Sequence, residues 1–373
     1  MRLYYFEGKE LEIFVNGYVL GKNEKEALKN IDENIEIEKF EYIKRINFKK
    51  LSVKEHLKLI KLLKSFISTK LNFFDAIVYI RNSEEISQRI KIVLDLLINN
   101  IKAGNSYEKA LKMNAYFDSE FRKAFSKATN DEETIKILNR LEKVYSDRLK
   151  NSEDIKNIML YPILLFSALI GLLSFLQFII VPIFKSSFNT EFNFVASWII
   201  ILIIFFLITT TIILLKNRHK YDNIIYKIPL VGKIYRKYAL LEFVQITTIF
   251  VESGDNTYNA FEKSLEIISS NKLKNEIISI LSYLEEGNNI VEATKNTDLK
   301  ELLFSITISK NLSDIKQPLY ILETELNFEL NSSIQKIKKI LEPILIMIIS
   351  IIILEVAFSF YNGIFSTINS LGL

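Results

Sequence analysis

The sequence predicts a mainly α-helical, polytopic membrane protein with three transmembrane helices, two homologous cytoplasmic helical bundles and a small N-terminal α+β segment. Three observations favour this class. Hydrophobic residues form 49% of the 373-residue chain and charged residues 25%, a mixture typical of chains that alternate between lipid and water. Three long apolar runs interrupt the polar sequence. The two large polar segments share short phrases in the same order.

The composition excludes several classes of function. The chain has no cysteine, which excludes disulfides, thiolate metal sites and Cys nucleophiles, and its two histidines, His56 and His219, exclude a His-rich metal site. Neither GxxxxGK[ST] nor GxGxxG occurs, so we expect no nucleotide hydrolysis by this chain. The net charge of +4 does not favour direct nucleic-acid binding. No catalytic, cofactor-binding or metal-binding residue is therefore assigned.

The first 50 residues predict the small α+β segment. The stretches RLYYF, LEIFV and IEIEKFEYI have strand-like apolar and aromatic content, while NEKEALKNI between them is typical of a short helix. The opening sequence MRLYYFEGKE lacks the apolar core of a signal peptide, so we expect a cytoplasmic N-terminus for residues 1–50.

Three apolar runs predict the membrane spans. Residues 158–184 and 192–215 carry no charge, and residues 343–365 carry one, Glu355. At about 1.5 Å of rise per residue, the first run reaches roughly 40 Å, more than the ~30 Å hydrocarbon core. Lys and Arg flank the runs on the side of the large polar segments, whereas the loop 185–191 holds only Lys185.

The positive-inside rule therefore predicts one orientation. The two large polar segments and the basic linker 216–237 are expected in the cytoplasm. The loop 185–191 and the tail 366–373 are expected on the opposite side, which is the periplasm for a bacterial inner membrane.

The two polar segments, 52–156 and 238–340, predict two copies of one helical unit. The paired phrases are STKLNFFDAI with ESGDNTYNAF, AGNSYEKAL with EGNNIVEAT, and YPILL with EPILI. Gly104 and Gly287 are predicted to end a helix, and the polar residues after them to begin the next. Pairs of the form X-Pro, Tyr161-Pro162 and Glu342-Pro343, are predicted to mark the starts of membrane helices.

Together these features resemble one family, the inner-membrane platform protein (protein F) of type II secretion systems and type IV pilus assembly. The resemblance covers nearly the whole chain. It implies a non-enzymatic platform that couples a hexameric cytoplasmic assembly ATPase to polymerisation of pilin or pseudopilin subunits. It also implies contacts with other inner-membrane assembly proteins and the lipid bilayer, and a homo-oligomer. Related machines secrete proteins, build pili or take up DNA.

The chain departs from this family late in each repeat, where a Gly-Glu pair and a Gly-x-Leu are usual. The first copy keeps acidity in Asp131, Glu132 and Glu133, and the second keeps only Asp314. Beside basic residues of the same segment, the three acids are typical of a solvated face, and a docking role toward the ATPase is the alternative. These basic residues are Arg122, Lys123 and Lys127.

Glu355 is expected about 18 Å into the ~30 Å hydrocarbon core, where an ionised carboxylate costs on the order of 3 kcal/mol. One interpretation is a contact for a charged pilin N-terminus or a switch in subunit extraction. The alternative is a protonated or bundle-facing side chain that bonds polar groups of the spans, such as those of Thr209 to Thr211. Glu342 is expected to cap a helix N-terminus at the membrane surface.

Two other classes of function compete with the platform. A membrane enzyme or transporter would use Glu355, but three spans are few for alternating access and the spans hold no second charge. A signalling receptor usually carries an extracellular sensor, for which the short loop 185–191 leaves no room.

Overall fold

The structure is a computed structural model that describes residues 2–10, 13–28, 31, 34–45, 50–125, 131–188, 195–295, 297–308 and 315–370. Most of these residues are helical, which confirms the predicted mainly α class. The chain divides into two compact units. One contains Met1–Lys150, Glu242–Ile267 and Ile277–Leu322, and the other contains Asn151–Leu241, Ile268–Glu276 and Glu323–Leu373. The domain boundaries expected from the sequence stay predictions.

The N-terminal segment forms the predicted small α+β structure. Strand β1, Arg2–Glu10, lies in the centre of an antiparallel sheet between β2, Ile13–Gly21, and β3, Glu36–Arg45. The short helix α1, Glu24–Leu28, follows β2. Alternating residues of the strands point to the same face, and a small core forms there. Its buried members are Tyr4, Phe6, Val19, Ala27, Ile31 and Ile35.

A first run of six helices follows the sheet. These are α2 (Val53–Ser68), α3 (Phe73–Asn82), α4 (Gln88–Lys102), α5 (Tyr107–Met113), α6 (Ser119–Phe125) and α7 (Asp131–Phe175). Apolar residues at three- and four-residue spacing, such as Ile90, Val93 and Leu97 of α4, are buried in a common core. The helical structure predicted for this segment is therefore confirmed.

The ion pair between Arg81 of α3 and Asp95 of α4 also binds the N-terminal sheet. The Asp95 carboxylate accepts hydrogen bonds from Arg81 Nε at 2.7 Å and from the Tyr18 backbone N–H at 3.1 Å. Arg81 Nη2 also donates to the Asn16 carbonyl at 2.6 Å. Leu3, Leu20 and Ile92 form an apolar cluster beside this pair. The sheet thus shares polar and apolar contacts with the first helical run.

The chain then continues through apolar sequence. After α7 come a π-helical turn, Leu176–Ile180, and α8, Val181–Phe188. Helix α9, Val195–Lys216, and α10, Arg218–Ile225, follow. The predicted loop 185–191 is partly outside the described residues, because its residues 189–191 are not among them.

A second run of six helices completes the chain. These are α11 (Val231–Glu252), α12 (Thr257–Leu265), α13 (Asn271–Glu285), α14 (Ile290–Lys295), α15 (Lys300–Ile308) and α16 (Lys316–Ser370). Their order of long and short helices matches that of the first run. Residues 371–373 of the predicted tail 366–373 lie outside the described residues.

Three helical stretches are long and apolar enough to cross a membrane, as predicted. They are Glu132–Ile183, Val195–Lys216 and Lys316–Phe365. Most of their apolar side chains are exposed, which is the arrangement expected of surfaces that contact lipid. A smaller set packs between the helices and is formed by Leu169, Leu173, Ile201 and Ile352.

The Gly-Asn pairs of the phrases AGNSYEKAL and EGNNIVEAT form the same kind of helix joint, one after α4 and the other after α13. Gly104 has φ +80° and Gly287 φ +88°, in the left-handed region that favours glycine. The N–H of Asn105 donates to the Asn100 carbonyl at 3.3 Å, and that of Asn288 to the Tyr283 carbonyl at 3.1 Å. This pattern is a Schellman helix end, so the predicted helix termini are confirmed.

The residues after each joint begin the next helix. Ser106 Oγ accepts the N–H of Lys109 at 3.3 Å, and Asn289 Oδ1 accepts that of Glu292 at 2.9 Å. The joint before α3 and the joint before α12 also match. Lys70 has φ +66° where Gly254 has φ +89°. Asn72 and Asn256 then cap the following helices.

The prolines predicted to start membrane helices lie inside helices instead. Pro162 is in the interior of α7 and Pro343 is in the interior of α16. The prediction was therefore wrong at both positions. A helix-interior proline removes one backbone hydrogen bond and costs roughly 3 kcal/mol in water, but membrane helices tolerate it because neighbouring groups satisfy the freed carbonyl.

We predict that Gly104→Ala and Gly287→Ala each lower the free energy of unfolding by about 1 kcal/mol, because alanine is strained at positive φ. No atom of a more distant residue lies within 4 Å of the added Cβ at either site, so the expected cost comes from the local backbone conformation alone. Lys70→Gly should raise the same free energy by about 0.5 kcal/mol. Urea unfolding of the full-length protein in detergent, followed by circular dichroism, measures these changes.

Gly171→Ala is the matched control. Gly171 lies inside α7 without a positive φ, and its added Cβ also meets no atom within 4 Å. A loss at Gly171 as large as that at Gly104 would show that backbone conformation is not the cause.

Candidate functional site

Glu355 lies on α16 beside the amino-terminal turn of α9. The backbone N–H of Ser197 donates a hydrogen bond to the Glu355 carboxyl group. First-turn N–H groups have no partner within their own helix, so an acceptor from a neighbouring helix satisfies one of them. The apolar cluster of Leu169, Leu173, Ile201 and Ile352 belongs to α7, α9 and α16. Glu355 therefore faces a helix interface within the membrane spans.

Two polar atoms at this interface make no hydrogen bond with a described residue. They are Glu355 Oε2 and the Ser197 hydroxyl, and both are buried. A buried polar atom without a partner destabilises the fold, so its presence often marks a functional position. Glu355 and Ser197 thus form the strongest candidate site in the membrane spans, and we name this pair the α16–α9 site.

The predicted partners of Glu355 have other bonds. Thr209 Oγ1 donates to the Phe205 carbonyl at 2.9 Å, and Thr211 Oγ1 donates to the Leu207 carbonyl at 2.9 Å. Threonine in an apolar helix commonly bonds the carbonyl one turn earlier in this way. The prediction of an inward-facing Glu355 agrees with the structure, but the prediction that it bonds Thr209 to Thr211 was wrong.

Glu342 does not occupy a helix N-terminus. It lies in the interior of α16 next to Pro343, and its side chain is exposed. Its predicted capping role was wrong, because α16 begins well before it and its neighbouring backbone N–H groups have helical partners. Tyr161 is likewise exposed in the interior of α7, whereas Pro162 is buried.

The acidic cluster opens α7. Asp131 is the first helical residue, Glu132 is exposed and Glu133 is half-buried. Acidic residues in a first helical turn interact favourably with the positive end of the helix dipole. This local role explains acids at these positions without a ligand.

The basic residues predicted to accompany the acidic cluster have other partners. Arg122 Nη1 donates to the Lys112 carbonyl at 2.9 Å, and Lys123 forms an ion pair with Glu266. Lys127, and Asp314 of the second polar segment, lie outside the described residues. Gly104 and Gly287 also carry no ligating group, and their geometry is that of a helix joint.

A buried polar cluster around His56 was not predicted. His56 on α2 is fully buried, with Nδ1 3.1 Å from the Ser52 carbonyl. Its Nε2 accepts the backbone N–H of Asp118 at 3.2 Å. Because a backbone N–H can only donate, the structure requires a neutral ring with its proton on Nδ1. Burial lowers the pKa of His56, although the charge of Asp118 acts in the opposite direction.

Tyr145 and the Arg148–Glu120 ion pair surround this histidine. The Tyr145 ring stacks on His56 with centroids 5.0 Å apart, and its hydroxyl donates to Asp118 Oδ2 at 3.2 Å. Arg148 Nη1 lies 2.8 Å from Glu120 Oε2. One local signal was available in the sequence. Ser52-Val-Lys-Glu55 is a capping box, and its two hydrogen bonds start α2 one residue after the serine.

No group of three or more possible metal ligands occurs in the part of the chain that the structure describes. The α16–α9 site offers a carboxyl and a hydroxyl, which can exchange a proton or accept a hydrogen bond from an amine. The His56 cluster has its ring nitrogens satisfied by backbone groups, which is the arrangement of a structural histidine.

Comparison with known proteins finds the same family over part of the chain. Residues 59–182 match the family model described as Type II secretion system (T2SS), protein F. Over 242 aligned residues the chain is 20% identical to the type II secretion system protein F of Vibrio cholerae serotype O1. This alignment covers 59% of the chain and 60% of the Vibrio cholerae protein, less than two thirds of the relative's length.

We predict that stability falls as the pH is lowered below about 6.5, the usual pKa of an unfolded histidine. The folded pKa of His56 is depressed, so the unfolded state binds a proton before the folded state does. The loss should reach at most about 1.4 kcal/mol per pH unit. Urea unfolding of the full-length protein between pH 8 and pH 5 measures it.

Two variants test whether His56 causes this pH dependence of stability. His56→Gln should remove it, whereas His219→Gln should keep it. An unchanged slope in His56→Gln would show that another group titrates.

We predict that Glu355→Gln folds and inserts normally, because the amide oxygen still accepts the Ser197 N–H. Glu355→Leu removes the acceptor and should lower the free energy of unfolding by about 1 kcal/mol, the usual effect of losing a helix cap. Thermal unfolding in detergent and membrane fractionation measure both. Ser350→Ala on the same helix is the control, and equal stability of Glu355→Leu and wild type would refute the capping role.

Proposed function

We propose that the chain is an inner-membrane platform subunit of a bacterial secretion or pilus-type machine. The reason is that part of the chain matches the type II secretion system protein F family. The observation that carries this proposal is the family match over residues 59–182, which runs from α2 through the first apolar span. The match therefore joins a polar helical segment to a membrane helix, the two parts that a platform needs.

The proposed orientation follows from the Lys and Arg flanks of the spans. The N-terminal sheet, both runs of polar helices and the linker 216–237 lie in the cytoplasm. The loop 185–191 and the C-terminal tail lie in the periplasm. In this arrangement both large polar segments are available to a cytoplasmic motor.

The chain acts without its own nucleotide chemistry. A hexameric assembly ATPase supplies the energy, since the sequence contains no phosphate-binding loop. The platform transmits that work to pilin or pseudopilin subunits within the bilayer. Other inner-membrane assembly proteins and further copies of this chain hold it in place.

Helix continuity supports a mechanical role. Helix α7 has 45 residues and α16 has 55, so each extends for roughly 70–80 Å. In α7 the polar part packs into the bundle core through Leu138, Leu141 and Val144. Glu132 is exposed at the amino-terminal end of α7. A force applied there would be transmitted to the first apolar span, because no loop interrupts the helix.

We also propose that residues 52–156 and 238–340 are two copies of one helical unit. The support for this proposal is a set of local structural features that occur in both segments. The positive-φ joints, the capping residues after them and the buried alanines Ala110 and Ala293 recur in the same order. Two similar units would present two related surfaces to a symmetric motor.

The α16–α9 site supplies a polar position inside the bilayer for pilin contact. Glu355 Oε2 is buried and makes no hydrogen bond with a described residue. A membrane enzyme or transporter using Glu355 is supported less well, because no other charged side chain of the three apolar runs accompanies it.

In-cell photo-crosslinking of the tagged full-length protein tests the platform function. We predict that a crosslinker at Glu132 captures an assembly ATPase and that one at the exposed Phe358 of α16 captures a pilin-like subunit. Glu153, exposed on the same α7, is the matched control position and should capture neither. Mass spectrometry identifies the partners. Recovery of neither partner, with the protein correctly inserted, would refute the proposal.

A further inference from the structure

The exposed charged side chains of the basic linker, residues 216–237, are positive. It contains seven Lys and Arg residues and a single acid, Asp222. Asp222 is buried, and its Oδ2 accepts hydrogen bonds from the Lys272 N–H at 2.8 Å and from Ser270 Oγ at 3.2 Å. The exposed face of the linker therefore carries positive charge without exposed negative charge.

Two apolar side chains of the linker point into solvent. Ile224 is 51% exposed and Leu230 is 48% exposed. Leu230 also has φ +64°, a conformation that a branched side chain rarely adopts. The Gly232 N–H donates to the Ile228 carbonyl at 2.8 Å across this turn. The fold thus holds Leu230 in a strained backbone conformation while leaving its side chain outside the core.

The linker begins where the second span ends. Helix α9 ends at Lys216, and α10 starts two residues later with Arg218. Ile224 follows Lys216 by eight residues, and the backbone leaves helical geometry at Asn217 and Tyr221 between them. The chain therefore bends after the second span instead of continuing straight away from it, which keeps Ile224 close in sequence and direction to the membrane boundary.

Three lysines accompany the apolar pair. Lys220, Lys227 and Lys233 are exposed. Lys220 Nζ lies 5.5 Å from the centroid of the Tyr221 ring, an aromatic residue of the kind that favours membrane interfaces. No described residue forms an ion pair with Lys227 or Lys233. Clusters of this type directly after a membrane helix bind the phosphates of anionic lipids.

We propose that the basic linker is a membrane-surface element. Ile224 and Leu230 insert at the boundary between headgroups and acyl chains, and Lys220, Lys227 and Lys233 bind the phosphates of anionic phospholipids. The inference goes beyond the platform function and requires no motor or pilin. The role of the linker in this proposal is to hold the end of α9 and the start of α11 at the bilayer surface.

The absence of cysteine makes the test direct, since one introduced cysteine is the only label site. Leu230→Cys and Ile224→Cys of the full-length protein are labelled with an environment-sensitive nitrobenzoxadiazole dye. Each is reconstituted into phosphatidylcholine vesicles with or without one quarter phosphatidylglycerol. Lipids with a spin label near the headgroup then quench dyes that lie at the interface.

We expect both labels to be quenched at least twofold more in vesicles with phosphatidylglycerol than the label of a control, Phe328→Cys. Phe328 is 73% exposed and lies on α16 about 20 Å of helical rise before Pro343, so it is an equally accessible site away from the apolar run. The triple variant Lys220→Gln, Lys227→Gln, Lys233→Gln should lose the extra quenching that phosphatidylglycerol produces.

Quenching at 224 and 230 no greater than at 328 would overturn the proposal. Quenching that is independent of phosphatidylglycerol would also overturn it, because the lysines would then have no lipid ligand. Dye self-quenching that disappears on dilution of the protein in lipid would assign the surface to a second copy instead. The vesicles contain no ATPase or pilin, so this test and the crosslinking test fail independently.

Discussion

Backbone hydrogen bonding in the bilayer is the constraint on which the rest of the structure depends. Lipid offers no partners to backbone N–H and C=O groups, so the apolar runs must be helical throughout. In α7 and α16 the helix extends beyond the apolar run into polar sequence, and the polar helices of each run are attached to these two long elements. The short helices between them need only local caps and joints, which the Gly-Asn phrases supply.

Buried polar groups specify the packing of the N-terminal sheet and the first run of polar helices. The Arg81–Asp95 pair fixes the N-terminal sheet on α3 and α4, and the His56 ring fixes α2 against the turn that precedes α6. Asp95 is bonded by the Arg81 side chain and the Tyr18 backbone N–H, and both ring nitrogens of His56 are bonded by backbone groups. Breaking such a pair leaves a buried polar group unsatisfied, so these contacts discriminate against other packings of the same apolar faces.

Features governed by local chemistry could be predicted from the sequence. The spans are predictable because length and absence of charge are sufficient evidence for a membrane helix, and Gly104 and Gly287 are predictable because a left-handed residue favours glycine. Pro162 and Pro343 were misread because the rule for proline at helix starts describes soluble helices, in which an interior proline costs more.

The rest of the candidate site could not be predicted, because it depends on pairs distant in sequence. Ser197 meets Glu355 only after three helices pack, and Asp118 meets His56 across much of the first run. The sequence marks Glu355 as unusual by its charge but contains no sign of which N–H it binds. A neutral, fully buried histidine likewise has no local signature beyond the capping box before it.

The π-helical turn Leu176–Ile180 changes the helical register of the part of the first span that follows it. A π turn inserts one residue into an α-helix, so every side chain after it is rotated by about 100° from the position that uninterrupted α-helical periodicity would assign. The lateral face continuing from Leu169 and Leu173 is therefore displaced by one register position in α8. A helical wheel drawn through the whole span would assign the wrong residues to lipid beyond Ile180.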